Sequence, residues 1–380
     1  MLRRRLLQVL GVTPLAALLP TPAHAHTAPG ALVLVGGALD DDNTDIYGEF
    51  VRLAGGAQAR IGVLSASSAV PHSSANAVIK ALERHGAGEA VWIPVTVKKD
   101  GSGESAEYAQ LAASMTAFFC TGGDQFRYVQ SMIRPDGSDG AVLAALRARH
   151  LAGAPVAGTS AGMQILAGPD MITGGLSYYG LRDGARPGYF DTDEIVGYWA
   201  AGGFGFFGAG LVDTHFDARG RHGRSIRLAA DTGHDRVFGV GEDTALLVEG
   251  AAMRVLGTNG VSLLDLSGAT VQSAGSWGIS GVRWSYLVAG DRYDAATSTV
   301  TTQKTPITPQ QRTALPPSTD VFASYALRDA ALDLASAGLS AATSGRTAET
   351  PAFVVTLTKE QGFLGYADSF TDLSLAVAAA

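Results

Sequence analysis

Cysteine is almost missing from this chain: among 380 residues there is one, Cys120. With no internal disulfide to form, stability has to come from a buried core. Cys120 ends the apolar run Ala117-Phe118-Phe119-Cys120, which predicts a buried and inert thiol. Charge is sparse as well, at 17% of residues with a net −7, so there is no basic footprint for nucleic acid. Beyond residue 25 no stretch of about 20 apolar residues occurs, which argues against a membrane anchor. No metal-ligand spacing is present, and Gly36-Gly37 lacks the third glycine of a dinucleotide loop. No metal and no cofactor are therefore expected, and no internal repeat is found.

What is present is globular. Hydrophobic residues make up 46%, and the 48 glycines suit many tight turns rather than a fibre. The length predicts one large or two unequal domains. At the N-terminus, basic Met1-Leu2-Arg3-Arg4-Arg5 precedes a mostly apolar stretch, Leu6 to Leu19, and the small-x-small ending Ala23-His24-Ala25. This order predicts an export signal over residues 1–25, read by the Sec or twin-arginine route, and a secreted or periplasmic protein.

Along the chain, short apolar runs alternate with helical segments. Ala31 to Ala38, Arg60 to Ser67, Glu89 to Val95, Thr116 to Cys120 and Ala154 to Ala157 read as buried strands. Ser73 to His85, Ala106 to Ser114, Phe126 to Ile133 and Ala141 to Arg149 read as helices between them. The pattern predicts an α/β fold with a parallel sheet covered on both faces, and sites beyond the strands' carboxyl ends. Asp40 to Asp45 reads as a solvated helix N-terminus rather than a calcium loop. Met171 to Phe207 reads as a glycine- and aromatic-rich excursion. Beyond about Ser267 the texture becomes Thr/Ser- and Pro-rich, with a helix over Ala323 to Ala337 and a strand over Ala352 to Leu357. Domains are accordingly expected over 26–267, with an extension or subdomain over 268–380.

The most informative stretch is Val156-Ala157-Gly158-Thr159-Ser160-Ala161-Gly162-Met163. A serine between two glycines, where an apolar strand gives way to a helix, is the arrangement of a nucleophile elbow. The turn strains the serine backbone and lifts its hydroxyl beyond the strand end, where the next amide faces a developing oxyanion. Such a serine needs a base, and the base needs an orienting group. His72, His85 and His150 sit in polar or helix-end contexts that suit the surface, and His222 and His234 lie in turns. His215 differs, because it follows the apolar run Gly210-Leu211-Val212 and has Asp213, Arg219, Arg221 and Arg224 nearby. Glu242 interrupts an apolar stretch, where a carboxylate is costly unless paired, and Asp243 is its rival for the orienting role. The arginines suit either an acidic substrate group or a buried network with Asp213 and Asp217.

Four ordered motifs carry a resemblance: Phe118-x-x-Thr121-Gly122-Gly123-Asp124-Gln125, Gly158-Thr159-Ser160-Ala161-Gly162, Asp213-Thr214-His215-Phe216-x-x-Arg219-Gly220-Arg221-x-Gly223-Arg224 and Gly241-Glu242-Asp243-Thr244-Ala245. Together, over about residues 30–265, the chain resembles the cyanophycinases, in the serine peptidase family that also holds the aspartyl dipeptidases. The resemblance implies a three-layer sandwich around a mainly parallel sheet, flavodoxin-like or class I glutamine amidotransferase-like, here with a C-terminal extension. It implies Ser160 as nucleophile, His215 as base and Glu242 as the orienting carboxylate, with the amides of Gly123 and Ala161 as oxyanion hole. Asp124, Gln125, Asp213, Thr214, Arg219, Arg221 and Arg224 would line the substrate site. Thr214 departs from the glutamine common in the family. The implied substrate is a polymer with a poly-aspartate backbone bearing β-linked arginines, degraded to β-Asp-Arg dipeptides. A homodimer is compatible with this reading. The alternatives are a related peptidase for aspartyl or other small acidic peptides, and a binding module that keeps the fold without catalysis.

Overall fold

The computed structural model describes residues 28–312 and 314–380. The export signal expected over residues 1–25 lies outside the described residues. The first half of the chain alternates as the sequence predicts. Its elements are β1 (Leu32–Val35), α1 (Thr44–Ala54), β2 (Arg60–Leu64), α2 (Pro71–Arg84), β3 (Glu89–Ile93), α3 (Ala106–Ala113), β4 (Ala117–Cys120), α4 (Gln125–Met132), α5 (Ala141–Leu151), β5 (Val156–Thr159) and α6 (Ala161–Gln164). The excursion that follows is more ordered than expected, with β6 (Met171–Ile172), α7 (Ser177–Asp183), β7 (Ala185–Pro187) and β8 (Val196–Trp199), whose three strands form a small sheet. Next come β9 (Leu211–Asp213), α8 (His222–Thr232), β10 (Arg236–Val240), β11 (Thr244–Glu249), β12 (Ala252–Gly257) and β13 (Gly260–Asp265). The remainder holds β14 (Thr270–Gln272), β15 (Gly278–Val288), β16 (Arg292–Asp294), β17 (Thr299–Thr301), α9 (Ala326–Ser336), β18 (Ala341–Arg346), β19 (Phe353–Gly365) and β20 (Phe370–Ala379). Among the described residues, no helix is long and apolar enough to cross a membrane.

Two large sheets organise these elements. The first has nine strands in the order β17-β16-β12-β11-β1-β5-β4-β2-β3. The run β1-β5-β4-β2-β3 is parallel throughout, and β11, β12, β16 and β17 extend it antiparallel. The second, of eight strands, runs β18-β19-β20-β15-β13-β10-β9, with β14 paired to β15. Its β9 and β10 are parallel to each other.

Apart from Arg60, Glu89 and Thr159 at strand ends, the parallel strands are apolar throughout because both faces are covered. In β1, Leu32 and Leu34 face a core shared with α3, α4 and α5, whereas Val33 and Val35 face α1 and α2. Alternation of period two therefore still decides which layer each side chain enters. Phe238, Val240 and Leu263 of the second sheet reach the same core as Leu32 and Leu34, so that core fills the space between the two sheets. The far face of the second sheet is covered by α7, α8 and α9 through Leu181, Ile226, Leu228, Leu327 and Leu334.

Residues after 267 thus complete the second sheet: β15 pairs with β13, and β20 with β15. The chain passes from the second sheet to the first at Gly241–Asp243 and back again at Thr258–Asn259. Cys120 is fully buried, and burial pushes its thiol up to about 12, which leaves it protonated and unreactive.

Candidate active site

Strands of both sheets end together at one edge of the seam between them. From the first sheet β1 leads to Gly36-Gly37, β4 to Gly122-Gly123 and β5 to Ser160. From the second, β9 leads to His215 and β10 to Glu242. Close backbone approach makes this convergence feasible. A Cβ on Gly36 would overlap the carbonyl oxygens of Val240 and Gly241, so glycine there lets β1 meet the end of β10. The Gly36 carbonyl in turn accepts the His215 amide at 2.7 Å, stitching the two sheets at the site.

The elbow is built by its glycines. Added Cβ atoms on Gly158 and Gly162 would overlap the carbonyl oxygens of Gly162 and Cys120, so strand, turn and helix can nest only with hydrogen at both positions. Ser160 is held at φ 54°, ψ −122°, and its amide donates to the Val35 carbonyl at 3.0 Å. A non-glycine residue in that region is strained, and the surrounding bonds hold it there. Strain of this kind aims the hydroxyl outward.

Ser160 Oγ lies 2.8 Å from His215 Nε2, and His215 Nδ1 lies 2.7 Å from Glu242 Oε1. An ionised carboxylate can only accept, so the Nδ1–H faces Glu242 and Nε2 is left to accept the serine proton. His215 is itself at φ 47°. Burial lowers its pKa below the ordinary imidazole value and the Arg219 and Arg221 charges add to this, while the bond to Glu242 opposes them. The resting imidazole is thus neutral at neutral pH, the form a base requires.

Glu242, and not its rival, touches the histidine. The Glu242 backbone carbonyl accepts Thr244 Oγ1 at 3.0 Å and Asn259 Nδ2 at 2.8 Å, which fixes the turn. Asp243 turns the other way, accepting the Asp40 amide at 3.0 Å, Asn43 Nδ2 at 2.9 Å and Thr258 Oγ1 at 2.5 Å. Asn43 also caps α1, so the aspartate patch belongs to a helix start. The Gly123 and Ala161 amides donate to no group among the described residues. Gly122 lies alongside, where a Cβ would be 3.2 Å from Ser160 Cβ.

The remaining expected residues separate into two groups. Asp124 and Gln125 line a cavity of about 380 Å³ with Gly123, Thr173, Tyr189 and Asp193. Tyr189 Oη donates to Asp124 Oδ2 at 3.0 Å, and Gln125 Nε2 donates to the carbonyls of Ile172 and Thr173 at 2.9 and 3.2 Å. The excursion after residue 170 therefore supplies one wall of this cavity. Arg219 is exposed and makes no side-chain ion pair among the described residues, yet its charge reaches His215.

Asp213 and Arg224 behave differently from a substrate-lining pair. Asp213 is fully buried and Arg224 nearly so, and they form a two-pronged pair at 2.6 and 2.8 Å. Ser225 Oγ, Arg221 Nη1 and the Thr214 amide complete the carboxylate's partners. Burial works to raise the Asp213 pKa, and the adjacent guanidinium groups reverse this and hold it below the usual range. Thr214 is buried too and accepts Arg221 at both its carbonyl and hydroxyl oxygens, at 2.7 and 2.9 Å. This is the buried network that the arginine motif allowed. It holds the loop carrying His215, and a saturated carboxylate has no lone pair left for a ligand.

Two other expectations need correction. His150 is buried, its Nδ1 3.1 Å from the Ala154 carbonyl and its ring against Phe206. His222 starts α8 and is buried between Phe216 and Trp284, where burial drives its pKa down to about 3. Gly37 was missed as a site residue. A Cβ there would overlap the His215 ring, so this glycine forms the floor on which the imidazole lies. Its signal was the glycine pair directly after β1. Among the described residues, no group of three or more His, Cys, Asp or Glu side chains could hold a metal ion.

An α/β sandwich that presents a serine at a strained elbow, beside a histidine and a carboxylate, has the make-up of a serine-type peptidase. Comparison with known proteins agrees. The chain is 30% identical over 251 residues to the cyanophycinase of Trichormus variabilis, covering 64% of this chain and 76% of that one. It is 28% identical over 278 residues to the cyanophycinase of Geminocystis herdmanii, covering 70% of this chain and 94% of that one. Among solved structures, a peptidase from an acI-B1 Actinobacterium superposes with a TM-score of 0.50 at 18% identity, over 70% of this chain and 97% of that one, a likeness of fold. No family model matches the chain. The chain belongs to the cyanophycinase family, and it is a peptidase and hence a hydrolase.

Proposed function

We propose that this chain is an exported serine peptidase that cleaves peptide bonds at β-linked aspartyl residues, releasing β-Asp-Arg dipeptides from cyanophycin. The observation that carries the reading is the unbroken relay at the elbow, Ser160 Oγ to His215 Nε2 at 2.8 Å and His215 Nδ1 to Glu242 Oε1 at 2.7 Å. Ser160 attacks the scissile carbonyl carbon as its proton passes to His215 Nε2. The oxyanion forms between the amides of Gly123 and Ala161, donors that need no reorganisation. His215 then hands its proton to the leaving amine, and an ester of Ser160 remains. Water, deprotonated by His215, attacks that ester and regenerates the serine. Glu242 holds the ring and stabilises its charged form throughout.

The substrate lies over Ser160 between the cavity at Asp124-Gln125 and exposed Arg219, whose unpaired guanidinium suits a backbone or terminal carboxylate. Incubation with insoluble cyanophycin beside α-Asp dipeptides tests the reading, with Ser160→Ala as control. The expected result is β-Asp-Arg from the polymer, and loss of about six orders of magnitude in kcat in the variant, as for removal of other serine nucleophiles. Product only from the dipeptides would sink the polymer assignment, and full turnover by Ser160→Ala would sink the mechanism. Export is tested by the intact mass of secreted protein, expected to lack residues 1–25.

A further inference from the structure

The segment from Asp320 to Asp329, far along the chain from every motif, lies against both halves of the histidine–carboxylate arrangement. On the histidine side, the Tyr325 amide donates to the Asp217 carbonyl at 2.8 Å, two residues past His215. Gly220 and Gly223 of the same loop leave room for Phe322: a Cβ on Gly220 would overlap the Phe322 carbonyl, and one on Gly223 would lie 2.9 Å from its ring. On the carboxylate side, Arg328 Nη1 donates to Asn259 Oδ1 at 3.4 Å, and Asn259 Nδ2 donates to the Glu242 carbonyl at 2.8 Å. The Asn259 amide also donates to Thr244 Oγ1 at 2.8 Å, so this one residue ties together the turn that presents Glu242.

Arg328 joins the two sides. Its guanidinium lies over the Tyr325 ring, 4.2 Å from the centroid, and pairs with Asp329 at 2.6 Å. Its positive charge also acts on the buried Asp217 carboxyl. Tyr325 is held at φ 62° where α9 begins, and the Glu242 charge reaches its half-buried phenol. A surface arginine with only a neighbouring aspartate for company would contribute little. This one is mostly covered, with 18% of its side chain exposed, and is stacked and bonded toward the turn of Glu242.

We propose that Phe322–Arg328 is a strap that positions the catalytic groups, with Arg328 as a positioning residue for Glu242 through Asn259. This rests on the serine-peptidase reading above. The strap spans the loop that carries His215 and the turn that carries Glu242, so it sets their separation without touching substrate. A shift of about 1 Å at reacting groups can cost on the order of a hundredfold in rate, so a positioning residue two bonds removed is expected to cost about tenfold.

The test is the rate at which a fluorophosphonate probe labels Ser160, read beside kcat and KM on the polymer and the thermal unfolding temperature. Arg328→Ala should label about tenfold more slowly and lose kcat with KM nearly unchanged, and Arg328→Lys, which keeps the cation over Tyr325, should recover part of the loss. Asn259→Ala should lower the rate similarly, and the double variant should be no slower than the slower single one, because both break the same link. Labelling at the wild-type rate in Arg328→Ala, or fully additive losses, would overturn the strap. Should Arg328→Ala fail to fold, Asn259→Ala reads the link from its other end, and a wild-type rate there overturns it equally. A wild-type protein that the probe does not label at all would instead remove the serine-peptidase reading on which the strap depends.

Discussion

Gly37→Ala is expected to disable the site while removing none of the reacting side chains. Gly37 sits at φ 109°, and a Cβ there would overlap Cε1 and Nε2 of the His215 ring. Carbon atoms settle at about 3.5–4.0 Å, so the ring must retreat by on the order of 1 Å. Nε2 is one of the atoms struck, and it is the atom that lies 2.8 Å from Ser160 Oγ. A displacement of that size lengthens the bond beyond useful reach, and the expected loss in kcat is about a hundredfold. The backbone strain of alanine at positive φ adds about 1–3 kcal/mol of destabilisation, which must be separated from the effect on the ring. Gly250 provides the comparison, at φ 64° in the β11–β12 turn with nothing within 4 Å of an added Cβ. The assay is fluorophosphonate labelling and polymer hydrolysis for both variants beside thermal unfolding. Gly250→Ala should lose stability alone, and Gly37→Ala both stability and rate. A Gly37→Ala protein that keeps the wild-type rate would show that the imidazole does not depend on this floor.

Two further outcomes follow from the same geometry. Glu242→Gln should cost about 10³–10⁴ in kcat, because the amide cannot stabilise the imidazolium and can turn an N–H toward Nδ1. Asp243→Asn should stay within about tenfold of wild type, since its carboxylate holds Asp40, Asn43 and Thr258 instead, and steady-state kinetics that reverse this order would exchange the two roles. Asp217 is fully buried and burial raises its carboxyl to about 7, against the lowering charge of Arg328, with Asp329 and the depressed His222 beside it. A raised carboxyl favours the folded state most below its unfolded value and loses that advantage as pH rises through about 7. Between pH 5 and 8 this group should therefore withdraw about 2–3 kcal/mol of stability, and Asp217→Asn should abolish that part of the slope. Chemical denaturation at the two pH values measures it, and equal slopes in variant and wild type would refute the assignment.

The parallel half of the fold was legible because strands buried on both faces are written as unbroken apolar runs. Val33, Phe119 and Ala157 are such residues, and the turns after them hold the glycines and the serine. The elbow and the Glu242 turn were legible for a related reason, since Ser160 and Glu242 are polar residues where an apolar run would otherwise continue. The second sheet was not legible in this way. Its long strands β15 and β20 carry Ser280, Arg283, Ser285, Asp372 and Ser374 among their apolar residues, and their partners are distant in sequence, as with Trp284 opposite Leu373. Local pattern cannot report a pairing across that distance. The same limit hid the burial of His150 on the inner side of α5, and it left the partnership of Asp213 with Arg224 as one of two open readings of the arginine motif. Gly37 escaped for a different reason: its importance lies in an atom it does not have.

The position of the site also explains why so much chain without a chemical motif is retained in the structure. Ser160 and Gly37 follow strands of the first sheet, whereas His215 and Glu242 follow β9 and β10 of the second. The bond between Ser160 and His215 is therefore only as well defined as the placement of one sheet on the other. That placement is held at the edge by the His215 amide on Gly36 and by the close approach of Gly36 to the carbonyls of Val240 and Gly241. Behind the edge it is held by the core in which Leu34 and Val156 meet Phe238 and Val261. A sheet made of β9, β10 and β13 alone would be narrow, with an unpaired edge at β13 and only α7 and α8 over its outer face. Strands β15, β18, β19 and β20 supply the width, and α9 joins α7 and α8 over that face with Leu327 and Leu334. The residues after 267 thus bear on the reacting atoms through the rigidity of the sheet that carries the histidine and its carboxylate. Truncation before β15 should accordingly expose β13 and the outer core together, and so cost the site its geometry along with the protein its stability.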